Sequence, residues 1–164
     1  MTETRPPTGS TTGSSTGSAH KTSANGARTT VLIPEGHSRP IGKYSPGVLL
    51  DLSAVDGLVF VSGQVATDDG GNVIGRDDAA AQAGVVFQRI AQVLAAADAG
   101  LSDIVQLTIY LADVARDFAA VSGVRNRVLP SPPPSSTLVE VSRLAEDGCL
   151  VEISAIASRT GPRR

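Results

Sequence analysis

The alternation of apolar and polar residues in the segment Ile104 to Leu111 limits the possible folds of this chain more than any other feature. Its apolar positions are Val105, Leu107, Ile109 and Leu111, and its polar positions are Gln106, Thr108 and Tyr110. Because successive side chains of a strand point to opposite faces, this pattern predicts a half-buried β-strand. The chain must therefore contain a sheet with one face against the core and the other face outside it.

A segment with helical spacing precedes this strand. Asp77 and Asp78 stand where a helix start favours acidic residues, and Gly100 is typical of a helix end. The apolar residues between them recur at intervals of three and four, which places them on one helix face: Phe87, Ile90, Leu94 and Ala97. We expect this helix to pack on one face of the sheet.

A second helix is predicted after the strand, from about Asp117 to Leu129. Its inward-facing residues should be Phe118, Val121 and Val128. Gly123 weakens this helix, because glycine costs about 1 kcal/mol relative to alanine in a helix interior. The proline-rich residues 130–134 end it, since proline has no amide proton with which to continue the helix.

Short β-branched and apolar runs predict the remaining strands. Val48–Leu50 and Leu58–Val61 flank Asp56-Gly57, which is a hairpin signal. Thr137–Val141 and Cys149–Ala157 should close the chain, and an extra strand near residue 31 fits the same pattern. The order β-β-α-β-α-β-β predicts an α+β fold, in which helices cover one face of a mixed sheet and a partner subunit covers the other.

The first thirty residues differ in composition from the rest. Residues 1–30 are rich in Thr, Ser and Gly and contain no aromatic residue. Ordering such a segment costs about 1–2 kcal/mol per residue in conformational entropy, and it has almost no apolar surface to offset that cost. We therefore expect a disordered tail over residues 1–30 and one folded domain over residues 31–164.

Charge and composition exclude several classes of function. The formal net charge is −2 without a basic cluster, which argues against nucleic acid as a partner, because phosphate binding needs grouped Lys and Arg. No apolar run is long enough for a transmembrane helix, and residues 1–30 lack the apolar segment of a signal peptide, so we expect a cytoplasmic protein. Cys149 is the only cysteine, and neither His20 nor His37 belongs to a metal-ligand pattern, so no metal site is predicted.

Glu152 is the first candidate for chemistry, because it interrupts the apolar run Leu150–Ile153 on a predicted strand. If its side chain points inward, the carboxylate must be hydrogen-bonded or have a raised pKa, as happens in sites that move protons. The alternative is a glutamate at a sheet edge or facing solvent. The spacing alone does not decide between the two.

Five blocks of the sequence stand in a recognisable order. They are Ile41–Val48, Leu58–Gln64, Gln82 with Phe87–Ala97, Asp113 with Asp117–Val121, and Val151–Ala157. Together they resemble the RidA/YjgF family of reactive-intermediate deaminases, and the resemblance covers roughly residues 38–159. It implies a fold like that of chorismate mutase, with a mixed sheet backed by two helices. It also implies a homotrimer whose ligand clefts lie between subunits.

The resemblance further implies an activity and a set of site residues. Members of that family hydrolyse enamines and 2-imino acids to 2-keto acids and ammonia, without a cofactor. The family's glutamate, which holds the attacking water, corresponds to Glu152. Its tyrosine corresponds to Tyr44, and its Ser-Gly pair corresponds to Ser62 and Gly63.

Two positions depart from the family pattern. Ser136 stands where the family has an arginine that binds the substrate carboxylate, and Ser122 stands where it has an asparagine. A hydroxyl cannot replace a two-pronged ion pair with a carboxylate, since a single charge-assisted hydrogen bond already contributes about 1.5–3 kcal/mol. The resemblance therefore predicts the fold and leaves the usual activity open.

Three functions are compatible with the sequence. The first is hydrolysis or hydration of a C=N or enamine bond in a small molecule without a free carboxylate, with Glu152 activating water and Ser136 as a neutral hydrogen-bond donor. The second is a non-catalytic trimer that binds or senses a small molecule. The third is an ordinary 2-imino acid deaminase in which Arg125 or Arg127 supplies the missing cation, although a solvated helix face is the simpler interpretation of both. A ribonuclease activity, also ascribed to family members, is disfavoured by the acidic charge and the lack of a histidine base.

Overall fold

The computed structural model describes residues 20–24, 28–38 and 40–160 of the chain. The strands in this part are β1 (His20–Ala24), β2 (Thr29–Ile33), β3 (Gly47–Leu50), β4 (Gly57–Gln64), β5 (Ile104–Leu111), β6 (Ser135–Glu140) and β7 (Val151–Arg159). The helices are α1 (Ala79–Ala95) and α2 (Val114–Val128). Short 3₁₀ turns at Leu52–Ala54 and Leu101–Asp103 precede β4 and β5.

Four of these strands form a mixed sheet in the order β4-β7-β5-β6. β7 runs antiparallel to both of its neighbours, whereas β6 runs parallel to β5. The two helices pack against each other, α1 also packs on β4 and β7, and α2 contacts β5. The predicted α+β fold, with two helices on a mixed sheet, is therefore confirmed.

The main core lies between this sheet and the two helices. Its fully buried residues include Leu107, Ile109 and Leu111 of β5, and Phe87, Ile90 and Leu94 of α1. Both sets were predicted from their spacing and are confirmed as core faces. Removing a buried aromatic ring such as that of Phe87 typically costs about 3–5 kcal/mol, so this layer holds the sheet and helices together.

One position of the alternating strand differs from the prediction. Val105 is only half-buried, whereas Ile104 is buried. The pairing of β5 with β7 shifts register between Ile104 and Gln106, so Val105 is an extra residue on β5. A bulge of this kind interrupts the strict alternation of side chains, which a sequence pattern cannot show.

The strands β1, β2 and β3 form a second, antiparallel sheet in that order. β2 confirms the extra strand near residue 31, but the predicted hairpin between Val48–Leu50 and Leu58–Val61 is wrong. β3 pairs with β2, whereas β4 pairs with β7. The amide of Asp56 donates to the carbonyl of Arg159, so the Asp-Gly pair aligns β4 on β7 instead of turning the chain back onto β3.

The ordered part of the chain begins before residue 31. β1 and the start of β2 lie within the stretch that we expected to be disordered. His20 pairs with Ile33 and Ala24 with Thr29, and the sequence between these strands contains Asn25-Gly26, a pair typical of hairpin turns. Residues 1–19 and 25–27 lie outside the described residues, so the disordered tail stays a prediction for them.

Both helices begin with an aspartate cap. The carboxylate of Asp78 accepts a hydrogen bond from the amide of Ala81, and that of Asp113 accepts one from the amide of Arg116, each at 2.9 Å. The start predicted for α2 at Asp117 is therefore wrong by one turn, because the capping role of Asp113 was missed. Within the described residues, no helix is long and apolar enough to cross a bilayer.

The far end of α1 and one face of α2 also differ from the prediction. α1 ends at Ala95, so Ala97 lies outside the helix, and Asp98 adopts the left-handed conformation there with φ of 57°. On α2, Val121 is fully buried as predicted, but Phe118 is 37% exposed. The inward placement of Phe118 is therefore wrong, and its ring is available to a cavity described below.

Candidate functional site

A groove on the face of the sheet that the helices leave open contains Glu152. Its volume is about 470 Å³, and its lining includes Ser62, Gly63, Tyr110, Arg143, Leu144, Glu152 and Ser154. Glu152 pairs with Tyr110 across β7 and β5, so both side chains lie on the same face. Glu152 is half-buried, so it is neither a core residue nor a fully exposed residue at a sheet edge.

The backbone of Gly63 lies directly against the carboxylate of Glu152. A Cβ atom added at Gly63 would be 1.8 Å from Oε1 of Glu152. The pairing of β4 with β7 shifts register between Val61 and Gln64, which places a bulge at Ser62 and Gly63. The bulge interrupts the regular pleat of β4 at this point, and only glycine leaves the carboxylate its space.

The buried side chain of Gln82 fixes the approach to β7. Its Nε2 donates to the carbonyls of Gly75 and Gly148 at 3.2 and 2.9 Å, and its Oε1 accepts from the amide of Leu150 at 2.7 Å. Leu150 stands two residues before Glu152. The glutamine on α1 therefore holds the segment that carries the candidate catalytic carboxylate.

A second cavity, of about 280 Å³, lies between α2, β6 and the loop that follows β2. Its lining is mainly apolar, with three polar exceptions, and consists of Ile41, Gly42, Tyr44, Val114, Phe118, Arg125, Ser136 and Leu138. Three predicted site residues, Tyr44, Arg125 and Ser136, therefore meet in one place. We call it the arginine cavity.

Hydrogen bonds on both sides of Tyr44 fix the loop that carries it, to the end of α2 and to the proline-rich segment before β6. Lys43 donates from Nζ to the carbonyls of Asn126 and Leu129 at 3.0 and 2.8 Å, at the carboxyl end of α2. Positive charge is favourable at that end of a helix. The amide of Ser45 donates to the carbonyl of Pro134 at 2.9 Å, and its hydroxyl donates to that of Pro133. These bonds hold Tyr44 against the arginine cavity.

Arg125 is 3% exposed and has no acidic partner in the part of the chain that the structure describes. Its Nε and one terminal nitrogen donate to Oδ1 of Asn126, a neutral acceptor, at 3.3 and 3.2 Å. Burial lowers the pKa of Arg125, and the neighbouring Tyr44 acts in the opposite direction. The interpretation as a solvated helix face is wrong for Arg125, whereas Arg127 is exposed.

The hydroxyl oxygens of the two serines at the divergent positions are both buried. The Oγ atoms of Ser136 and Ser122 have no hydrogen-bond partner among the described residues. Ser136 lines the arginine cavity, whereas Ser122 lines neither this cavity nor the Glu152 groove. Ser122 lies on α2 one turn before Arg125, so its hydroxyl belongs to the helix that carries the buried cation.

The predicted site residues thus fall into two groups on opposite faces of the sheet. Ser136 pairs with the fully buried Leu107 of β5, which places it on the helix-covered face. Glu152 lies on the other face, together with Ser62 and Gly63. Within one chain, therefore, these two groups of predicted site residues do not meet.

Sequence reasoning missed Arg143 and Phe118 as lining residues. Arg143 is exposed in the turn region between β6 and β7 and lines the Glu152 groove. Turn residues carry no periodicity, so no signal in the sequence pointed to it. Phe118 was assigned to the core from its helical spacing, which cannot separate a core face from the wall of a cavity.

Comparison with known proteins agrees with this architecture. A RutC family protein from Pyrococcus abyssi is 35% identical over 127 residues, which are 77% of this chain and 94% of the relative. Protein YyfB of Yersinia pestis, described as a protein of unknown function of the conserved Rid family, has a TM-score of 0.70 at 25% identity over 80% of this chain and 98% of its own.

A further solved structure and a family model extend the likeness. RidA from the Antarctic bacterium Psychrobacter has a TM-score of 0.57 at 30% identity, over 73% of this chain and 91% of its own. The family model described as endoribonuclease L-PSP matches residues 36–159, which is most of the chain. The chain therefore belongs to the RidA/YjgF family, as the five sequence blocks indicated.

Proposed function

We propose that the protein hydrolyses a C=N or enamine bond of a small molecule, with Glu152 activating the attacking water. The observation that carries the proposal is the contact between Gly63 and the Glu152 carboxylate in an open groove. Glu152 has no ion pair with any residue that the structure describes, so its oxygens are free to accept a proton. A positioned carboxylate of this kind suits general acid–base chemistry.

The proposed reaction is balanced by water alone. Glu152 takes a proton from water as the oxygen attacks the imine carbon, and the electron pair of the C=N bond moves to nitrogen, which receives that proton. In the second step Glu152 moves the hydroxyl proton to the same nitrogen. The C–N bond breaks, a carbonyl forms, and ammonia leaves.

The proposal includes a homotrimer with clefts between subunits. Two observations support it: each chain carries its half-sites on opposite sheet faces, and the open face exposes a large apolar residue, Phe60, with 70% of its surface accessible. A neighbouring copy on this face would bury Phe60 and place an arginine cavity beside a Glu152 groove. Tyr44 would then contact the substrate from the opposite side to Glu152.

We expected a substrate without a carboxylate only because Ser136 stands where the family has its carboxylate-binding arginine. The buried guanidinium of Arg125 in the same cavity weighs against it, because an unpaired buried charge is a preformed site for an anion.

A binding or sensing role is the second candidate, and Ser136 favours it. The family's substrate-binding arginine is absent at this position, while the cavity itself persists. A protein that only binds would keep both cavities and show no turnover. The name of the family model suggests ribonuclease activity. The net charge of −2 disfavours it, because binding the phosphates of RNA needs grouped Lys and Arg.

The deciding experiment measures the formation of ammonia and 2-oxobutyrate from 2-iminobutyrate. A second enzyme, which converts an amino acid into this imine, generates the substrate in the assay. We expect turnover by the wild-type protein and a loss of roughly 100-fold or more in Glu152→Gln, since the amide can hold water but cannot accept its proton. A neutral imine without a carboxylate is tested in parallel. Absence of turnover on both, with a folded trimer, would support the binding role instead.

A further inference from the structure

We propose that the Glu152 groove binds the side group of the substrate, and that this group is neutral and carries a hydrogen-bond acceptor, as a carboxamide does. This assignment rests on the proposed function and names a substrate class for its reaction. It makes Tyr110, Ser154 and Arg143, which the proposed chemistry does not use, the residues that select the substrate. Their placement, their unused donors and the charge of the groove carry it.

Tyr110 is a direct neighbour of Glu152 across the sheet. The two residues pair between β5 and β7, so their side chains lie side by side on the open face. Thr108 pairs with Ser154 in the next row of the same face. Tyr110 and Ser154 are both half-buried and line the groove together with Glu152. A substrate whose C=N carbon lies at Glu152 therefore has these two polar side chains beside it.

The groove contains hydrogen-bond donors that the rest of the described chain does not use. Four lining side chains carry such a donor, namely Ser62, Tyr110, Arg143 and Ser154. None of the four forms a hydrogen bond or an ion pair with another described residue. A donor that loses its water when a ligand binds needs a new acceptor, because a polar group left unpaired is costly. A substrate group with an acceptor oxygen supplies one, whereas an alkyl group does not.

The formal charges in the groove cancel. Among its lining residues, Glu152 carries the only negative charge and Arg143 the only positive charge. A carboxylate on the side group would lie in the same groove as the Glu152 carboxylate, and an ammonium group has no acceptor to offer the donors. A neutral group with an acceptor meets both conditions. The apolar part of the lining, Val141, Leu144 and Ala145, suits the methylene groups that precede it.

The test compares three imines whose side groups have the same shape. A broad-specificity amino acid oxidase generates them from glutamine, from glutamate and from homoleucine, which has two methyl groups in place of the amide oxygen and nitrogen. Formation of the 2-oxo acid is measured above the spontaneous rate. We expect the kcat/KM of the wild-type protein for the glutamine imine to exceed both others by roughly 10-fold or more, because donors left unpaired reject the alkyl analogue.

Two variants separate selection from a general effect on the protein. Tyr110→Phe and Arg143→Met should each lower kcat/KM for the glutamine imine by roughly 10-fold and leave the homoleucine imine within about 2-fold of the wild type. Thr108→Val is the matched control, since Thr108 lies on the same strand and face as Tyr110 but lines a neighbouring groove without Glu152. Its preference among the three imines should equal that of the wild type.

Equal kcat/KM for the glutamine and homoleucine imines in the wild type would overturn the proposal, and so would a preference for the glutamate imine. An equal loss on both imines in Tyr110→Phe and Arg143→Met would assign these residues to the fold instead, and an unchanged preference in both would exclude them from selection. In each of these cases wild-type turnover remains, so the proposed hydrolysis stands. If the wild type hydrolyses none of the imines, the proposed function fails and the substrate class fails with it.

Discussion

At the scale of single residues, the position of the Glu152 carboxylate depends on the absence of a side chain at Gly63. Gly63→Ala would place a methyl group 1.8 Å from the present position of Oε1, so the carboxylate must rotate away. The far end of a glutamate side chain can move at low cost in a half-open groove. We therefore expect a melting temperature within about 2 °C of the wild type, because surface changes usually cost less than about 0.5 kcal/mol.

The same substitution should nevertheless impair catalysis. With the carboxylate displaced, turnover of 2-iminobutyrate should fall by roughly 100-fold, close to the effect of Glu152→Gln. Gly57→Ala in the same strand is the control, since no atom lies within 4 Å of a Cβ added there. Full activity in folded Gly63→Ala would show that the location of this carboxylate does not matter.

At the scale of secondary structure elements, Gln82 joins α1 to the segment before β7. Gln82→Ala would leave the carbonyls of Gly75 and Gly148 and the amide of Leu150 without their partner. Unsatisfied buried groups cost about 1–3 kcal/mol each, so we expect a loss of roughly 3 kcal/mol or more in the free energy of unfolding. Urea denaturation measures it, with the exposed Gln88→Ala on the same helix as control. A loss below that of the control would mean that water replaces all three bonds.

The elements themselves were largely predictable, because periodicity reports which face of a segment is buried. Phe87, Ile90 and Leu94 and the alternation after Ile104 located α1 and β5 correctly. Pairing was not predictable in the same way. The Asp56-Gly57 pair is equally compatible with a hairpin and with the start of a strand, and only the contact with Arg159 decides for the latter.

The sequence nominated residues for the candidate site but did not indicate how they are arranged. Resemblance nominated Glu152, Gly63 and Tyr44, and the structure places each beside a cavity. The burial of Arg125 was not predicted, because an arginine is rarely fully buried and its isolation from acidic groups depends on the tertiary structure. The division between opposite sheet faces likewise depends on register, which spacing does not give.

At the scale of the whole molecule, the open sheet face should determine assembly. Phe60→Glu places a charge at its most exposed aromatic position, and burying that charge in an interface would be costly. We expect sedimentation velocity to show a trimer for the wild type and monomers for Phe60→Glu, with loss of imine turnover. Val93→Glu, at an exposed position on α1, should remain trimeric. A monomeric wild type, or a trimeric and active Phe60→Glu, would contradict the proposed assembly.

The placement of the two half-sites on opposite faces has a genetic consequence. If every cleft takes Glu152 from one chain and Arg125 from another, two inactive alleles can complement each other. Random assembly of equal amounts of Glu152→Gln and Arg125→Met chains leaves about a quarter of the clefts with both native groups. A cell that carries both defective copies would then regain part of the activity that neither copy provides alone, although no gene in it encodes an intact site.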